Sequence, residues 1–303
     1  MNVLNRLVVA TLPAVPKPII RQFANRYIAG EDIGDAVRVV KELNSRGAMA
    51  TLDVLGEDIH LPPEAASARD TIVDVVGTIR REGLDSNVSI KLSQIGLKLD
   101  RSFCLENAAR IVEKALEAGN FIRIDMEDSS CTSDTLWVYR ELRKSFRNVG
   151  IVLQAYLKRT REDAEALMAD GLKSFRLCKG IYVEPEEIAF KDHAAINRNF
   201  IEVLGIMLEK GARVGIATHD GELVDAGYRL IREKGISGND VEFQMLLGVR
   251  PELRAKILRD GHRLRIYVPF GKQWYQYSIR RFKENPRIAG YVLKSLFTRN
   301  HLN

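Results

Sequence analysis

The chain lacks most of the patterns that would place it quickly, and each absence removes a class of protein. Three cysteines, Cys104, Cys131 and Cys178, form no CxxC pair, which argues against a disulfide framework and for a reducing cytoplasm, with all three in the core. Five histidines show neither HxH nor HExxH spacing, so no catalytic metal is expected. No GxGxxG follows a strand-like run, and neither a P-loop nor a GxSxG elbow occurs. A Rossmann-type nucleotide site, a P-loop NTPase and an α/β-hydrolase are thereby disfavoured. No uncharged apolar stretch approaches the roughly 18 residues of a spanning helix. The run from Leu7 to Pro16 is short and broken by Pro13, so secretion does not follow from it. Charge of one sign is scarce too: 46 basic against 40 acidic side chains leave +6, well interspersed. No nucleic-acid partner is expected, while peripheral contact with an anionic membrane, at its inner face, is compatible with this balance.

What is present is alternation. After an N-terminal helical stretch from Lys17 to Arg46, eight strand-like runs recur: Met49–Val54, Val88–Leu92, Phe121–Asp125, Ile151–Ala155, Ser174–Cys178, Arg213–Ala217, Val241–Met245 and Leu264–Val268. Their β-branched and aromatic content suits sheet. Helical patterns lie between them, over Pro62–Arg81, Cys104–Ala118, Ser133–Phe146, Arg161–Ala169, Glu184–Glu209, Gly221–Lys234 and Pro251–Arg259. Gly83, Gly119, Gly171, Gly211, Gly235 and Gly261 stand where six of these seven should end, as left-handed capping residues do. Eight βα units predict an α/β protein, a (β/α)8 barrel over residues 47–303 behind a helical segment 1–46.

In such a barrel the reactive residues cluster at the C-terminal strand ends. Asp53, Lys91, Asp125, Gln154, Arg176 with Lys179, Thr218 with His219, Gln244 and Tyr267 all fall there, which points to a polar-ligand site. Lys91 and Lys179 could serve as Schiff-base lysines of a class I aldolase, since desolvation lowers an amine pKa, or could simply pair with Asp53 or Asp125. Beyond the eighth strand, a helix from Trp274 to Glu284 puts Tyr277, Arg280, Arg281 and Glu284 on one face. Two adjacent guanidiniums are best satisfied by a carboxylate or phosphate. The opposite stripe of Tyr275, Ile279 and Phe282 equally suits a surface helix whose charged face is solvated.

The motifs in barrel order narrow this further. Ser89-Ile-Lys-Leu-Ser93, Ile124-Asp-Met-Glu127, Gln154-Ala-Tyr156, Arg176-Leu-Cys-Lys-Gly-Ile-Tyr182, Ala217-Thr-His219, Glu242-Phe-Gln-Met-Leu246, Arg265-Ile-Tyr-Val-Pro269 and Trp274–Arg281 with Glu284 resemble the proline dehydrogenase family. That resemblance implies a distorted (β/α)8 TIM barrel whose last helix lies over the strand ends. It implies FAD-dependent oxidation of L-proline to Δ1-pyrroline-5-carboxylate, the first step of proline degradation to glutamate, with a quinone as electron acceptor. Arg280 and Arg281 would then grip the proline carboxylate, assisted by Lys91 and held by Glu284, with Leu246, Tyr267 and Tyr277 shaping the pocket around the ring. Met126, Gln154, Arg176, Lys179, Gly180, Ile181, Thr218 and His219 would contact FAD, and Asp125 and Arg176 would stand nearest the chemistry. Hydroxyproline is the neighbouring substrate, which Tyr267 would crowd. The chain ends shortly beyond Arg281, so a monofunctional enzyme is expected, its product going to a separate pyrroline-5-carboxylate dehydrogenase.

Overall fold

The structure, a computed structural model, describes residues 20–21, 24–56 and 59–284, the last five of these by backbone alone. Strands β1 Met49–Val54, β2 Ser86–Ile90, β3 Ile122–Ile124, β4 Val149–Gln154, β5 Ser174–Cys178, β6 Arg213–Ala217, β7 Val241–Leu246 and β8 Leu264–Phe270 run parallel and pair in chain order. β8 returns to β1, Met49 opposite Arg265 and Val54 opposite Phe270, and closes the barrel. Helix α1 Ile33–Ser45 precedes β1. Helices α2 Pro62–Arg81, α3 Arg101–Glu117, α4 Ser129–Ser145, α5 Thr160–Ala169, α6 His193–Glu209, α7 Gly221–Glu233 and α8 Pro251–Arg259 follow successive strands, and α9 Trp274–Glu284 follows β8.

The side-chain period of two explains where the core sits. Ile122 and Ile124 of β3, Ile151 and Leu153 of β4 and Phe175 and Leu177 of β5 are buried and belong to the main apolar cluster. They face the helices, and the alternate positions, such as Arg123, Arg176 and Gly215, face the barrel axis. The apolar core is thus the sleeve between sheet and helices, and the axis is polar. Helix α2 meets that sleeve with Ile72, Val75, Val76 and Ile79 and α3 with Cys104, Ala108, Ile111 and Val112, the three- and four-residue spacing of one helix face. Each fully buried large side chain of this kind contributes roughly 1.5–3 kcal/mol.

Helix ends follow their local chemistry. Asp32, Asp100, Asp128, Asp192 and Asp220 each accept a hydrogen bond from a first-turn N–H of the helix they open, a cap worth about 1 kcal/mol. The six glycines expected to end helices all adopt φ between +60° and +80°. α4, which has no such glycine, leaves through extended Phe146.

Two expected helices are shorter than their sequence patterns. The N-terminal stretch is not continuous, because residues 25–32 leave the helix and α1 starts only at Ile33. Gly30 sits at φ +152°, where an added Cβ would lie 2.0 Å from Asp35, so the break is built around the absence of a side chain. The helix expected from Glu184 starts at His193 instead. The Glu184 carboxylate accepts from Ser129 N at 2.7 Å and Ser129 Oγ at 2.6 Å, which ties the segment across to α4. Lys191 donates to the Glu184 carbonyl, and Asp192 caps α6 afresh. Among the described residues no helix is long and apolar enough to cross a membrane.

Candidate active site

The C-terminal strand ends surround a cavity of about 440 Å³, within the size range of small-ligand pockets. Lys91, Leu246, Tyr267 and Tyr277 line it, as do Asp125, Met126, Gln154, Arg176, Lys179, Gly180, Ile181, Thr218 and His219. Tyr277 is only 9% exposed, so that side of α9 turns towards the barrel mouth. Arg280, Arg281 and Glu284 lie outside the residues whose side chains are described.

The floor of the cavity is a charged network centred on Asp125. Its backbone N–H donates to the Ile90 carbonyl at 2.9 Å, anchoring it directly after β3. Its carboxylate accepts from Arg176 Nη1 at 2.7 Å, the Tyr267 hydroxyl at 2.7 Å and Ser89 Oγ at 3.0 Å. Lys91 donates to Asp53 at 2.8 Å and stands 3.9 Å from Asp125. Two carboxylates and two cations therefore balance in a largely buried site, as buried charge requires. Burial pushes the Asp53 carboxyl above its ordinary range against the pull of Lys91, with Asp125 adding to the rise. Burial, together with the Asp125 and Asp53 charges, holds the Tyr267 phenol well above its usual value, so its proton stays and serves Asp125.

The wall between β4 and β7 is built from polar groups held by neighbouring loops. Gln154 donates to the Glu127 carbonyl at 2.9 Å. Lys179 donates to Asp220 at 2.6 Å and lies 2.9 Å from His193 Nε2. Burial opposes the Asp220 charge, yet hydrogen bonds from Lys179 and Asn197 hold its carboxyl below the usual range. His219 Nε2 accepts from Leu246 N at 2.8 Å, which assigns the proton of the neutral ring to Nδ1. Gly180 takes φ +101°, and a Cβ there would fall 2.1 Å from the Tyr156 ring. Both lysines are thus ion-paired, the arrangement opposed to a free Schiff-base amine.

Asp53, expected among the strand-end residues, also lines the cavity, as do Cys178 and Asp220, which were not singled out as its residues from sequence. Cys178 packs against the apolar core as expected, but it also lines the cavity, sharing the inward parity of Arg176 on β5, and burial pushes its thiol up to about 11. That parity was the available signal. Arg176 Nη2 is buried and has no hydrogen-bond partner among the described residues.

Fold and site together define a (β/α)8 barrel with a charge-balanced ligand pocket at its strand ends, the layout of a barrel enzyme for a small polar substrate. The chain belongs to the proline dehydrogenase family, whose model matches residues 36–293. It is 37% identical to proline dehydrogenase 1 of Bacillus subtilis strain 168 over 273 residues, covering 90% of each chain. It is 37% identical to proline dehydrogenase of Deinococcus radiodurans over 301 residues, covering 95% of this chain and 96% of the relative. Among solved structures it is similar to proline utilization A of Bdellovibrio bacteriovorus inactivated by N-propargylglycine, with a TM-score of 0.82 and 25% identity over 88% of this chain. The match spans 33% of that longer chain.

Proposed function

We propose that this chain oxidises L-proline to Δ1-pyrroline-5-carboxylate with FAD, opening proline degradation to glutamate, and passes the electrons to a quinone. The observation that carries the reading is the Asp125 network: a fixed arginine, a lysine and a protonated tyrosine converge on one half-buried carboxylate that lines the cavity. Bound FAD would supply the two-electron acceptor. Met126, Gln154, Lys179, Gly180, Ile181, Thr218 and His219 would hold it, along with Arg176. The residues fit such a group, because the unpartnered Arg176 Nη2 suits a ligand that brings an acceptor or a negative charge.

Proline enters as a zwitterion whose amine must lose a proton before it can be oxidised. A cationic pocket binds the carboxylate and, by the same charge, lowers the amine pKa. Lys91 provides one positive group, and Arg280 and Arg281, with Glu284 as their partner, provide the rest. Leu246, Tyr267 and Tyr277 enclose the ring, with Tyr267 discriminating against hydroxyproline. Cytoplasmic residence, with peripheral binding at the inner face of the membrane, would bring the site near a quinone, and the mild positive charge suits anionic lipid. The product would pass to a separate pyrroline-5-carboxylate dehydrogenase.

The purified protein is expected to be yellow, to bleach on anaerobic addition of proline, and to regain its colour faster with a quinone analogue than with dioxygen. An unbleached spectrum would sink the substrate assignment, and equal reoxidation rates the acceptor. Loss of one charge-assisted hydrogen bond, roughly 1.5–3 kcal/mol, predicts that Arg281→Met weakens apparent proline affinity about 10- to 150-fold. An unchanged KM would remove Arg281 from the clamp.

A further inference from the structure

A second polar chain runs up the barrel axis to Arg176 from below. Glu242 on β7 faces Arg265 on β8, which donates to it from Nε at 2.6 Å and from Nη2 at 3.1 Å. Arg265 Nη1 donates to the Ala50 carbonyl at 2.7 Å, pinning this forked pair to β1. Gln244 Nε2 donates to Glu242 Oε1 at 2.6 Å, and Gln244 Oε1 accepts from Arg176 Nε. Every member is nearly buried except the edge of Glu242, whose side chain is 16% exposed. Burial opposes the Glu242 charge, but Arg265 keeps its carboxyl below the usual range.

The direction of this chain is fixed by charge. An ionised carboxylate can only accept, so Gln244 must turn its NH2 towards Glu242 and therefore its oxygen towards Arg176. Gly215 leaves the room, since a Cβ there would lie 2.3 Å from Gln244 Nε2. Arg176 is then held on two sides, by Gln244 at Nε and by Asp125 and Ser89 at Nη1. A guanidinium is planar, so two held edges set where its third nitrogen points. That nitrogen is the unpartnered Nη2.

We propose that Glu242 is a positioning residue, which orients the Gln244 amide and through it aims Arg176 into the cavity. This rests on the reading of Arg176 as the group that faces FAD. Glutamine at position 242 can donate as well as accept, so it releases the amide of Gln244. For Glu242→Gln the expected result is flavin reduction about 10-fold slower at saturating proline, with proline dissociation changed less than about threefold. A fixed cation favours the reduced, more negative flavin, so the midpoint potential should fall by about 30 mV, tenfold in the equilibrium constant of a two-electron couple.

Gln244→Leu breaks the same chain while leaving the Glu242–Arg265 pair intact, and should show the same two changes. The double variant should be no worse than Gln244→Leu, because both substitutions cut one path. Additive losses in the double variant, or a parental potential in both single variants, overturn the proposal. Arg176→Lys separates it from the reading beneath it. If that variant lowers the potential and Glu242→Gln does not, the relay is wrong and Arg176 stands. If Arg176→Lys also leaves the potential unmoved, the assignment of Arg176 fails and the relay falls with it.

Discussion

Asp125→Asn is expected to lower kcat/KM for proline by about 10- to 150-fold, the equivalent of roughly one charge-assisted hydrogen bond. The substitution keeps the shape and removes the charge. Arg176 and Tyr267 each donate to a different carboxylate oxygen of Asp125, and an asparagine amide offers only one oxygen. One of the two donors must lose its partner. Burial, the largest cause of the raised Tyr267 pKa, remains in the variant and still opposes ionisation of the phenol. Arg176, buried at the same point, would keep a positive charge with less to balance it, and a broken buried pair costs about 3–5 kcal/mol. The melting temperature should therefore fall along with activity, and kinetics should be taken well below it. A kcat/KM within about threefold of the parent would show that Asp125 is scaffolding for another group.

Gly180→Ala should be a damaging exchange of a single hydrogen for a methyl group. At φ +101° any side chain is strained, by roughly 1–2 kcal/mol, and the new Cβ would meet Tyr156 Cδ1 at 2.1 Å and Cγ at 2.8 Å. Tyr156 is 6% exposed and packed against Leu157 and Ala189, so its ring has little space to retreat. Overpacking of this kind adds about 1–3 kcal/mol. A total loss of about 2–5 kcal/mol, with release of flavin on purification, is the expected result of chemical unfolding and absorbance measurements. Gly211→Ala is the control: φ is +69° there, with nothing within 4 Å of the added carbon, so only the backbone share should be lost. Equal losses at the two positions would rule out the clash with Tyr156.

The reach of the sequence differed between parts of the molecule for physical reasons. Strand ends and helix stops were legible because they are encoded locally, by β-branched runs and by glycines at positive φ. The false helix from Glu184 had plausible helical residues, but its carboxylate is spent on Ser129 in another part of the chain, a tertiary contact no local pattern contains. The strand-end polar residues were legible as a group because the barrel itself places them together. Cys178 was harder, since its place at the cavity lies in strand parity rather than in its residue type. Glu242 and Arg265 were the least visible. Charged residues alternating with apolar ones in a strand suggest a solvent face, whereas here the helices cover the apolar side and the charges face the closed axis.

The pairing of β8 with β1 has a consequence for how the protein comes to exist. Until Leu264–Phe270 has been synthesised, the nascent sheet is an open sheet with two unpaired edges, and β1 waits for a partner more than 200 residues downstream. Open parallel edges invite association with other chains, and contacts this distant in sequence close slowly. A truncation just short of β8 should therefore give aggregates rather than a weakened enzyme, and overproduction should strain the chaperones of its host before it strains its cofactor supply.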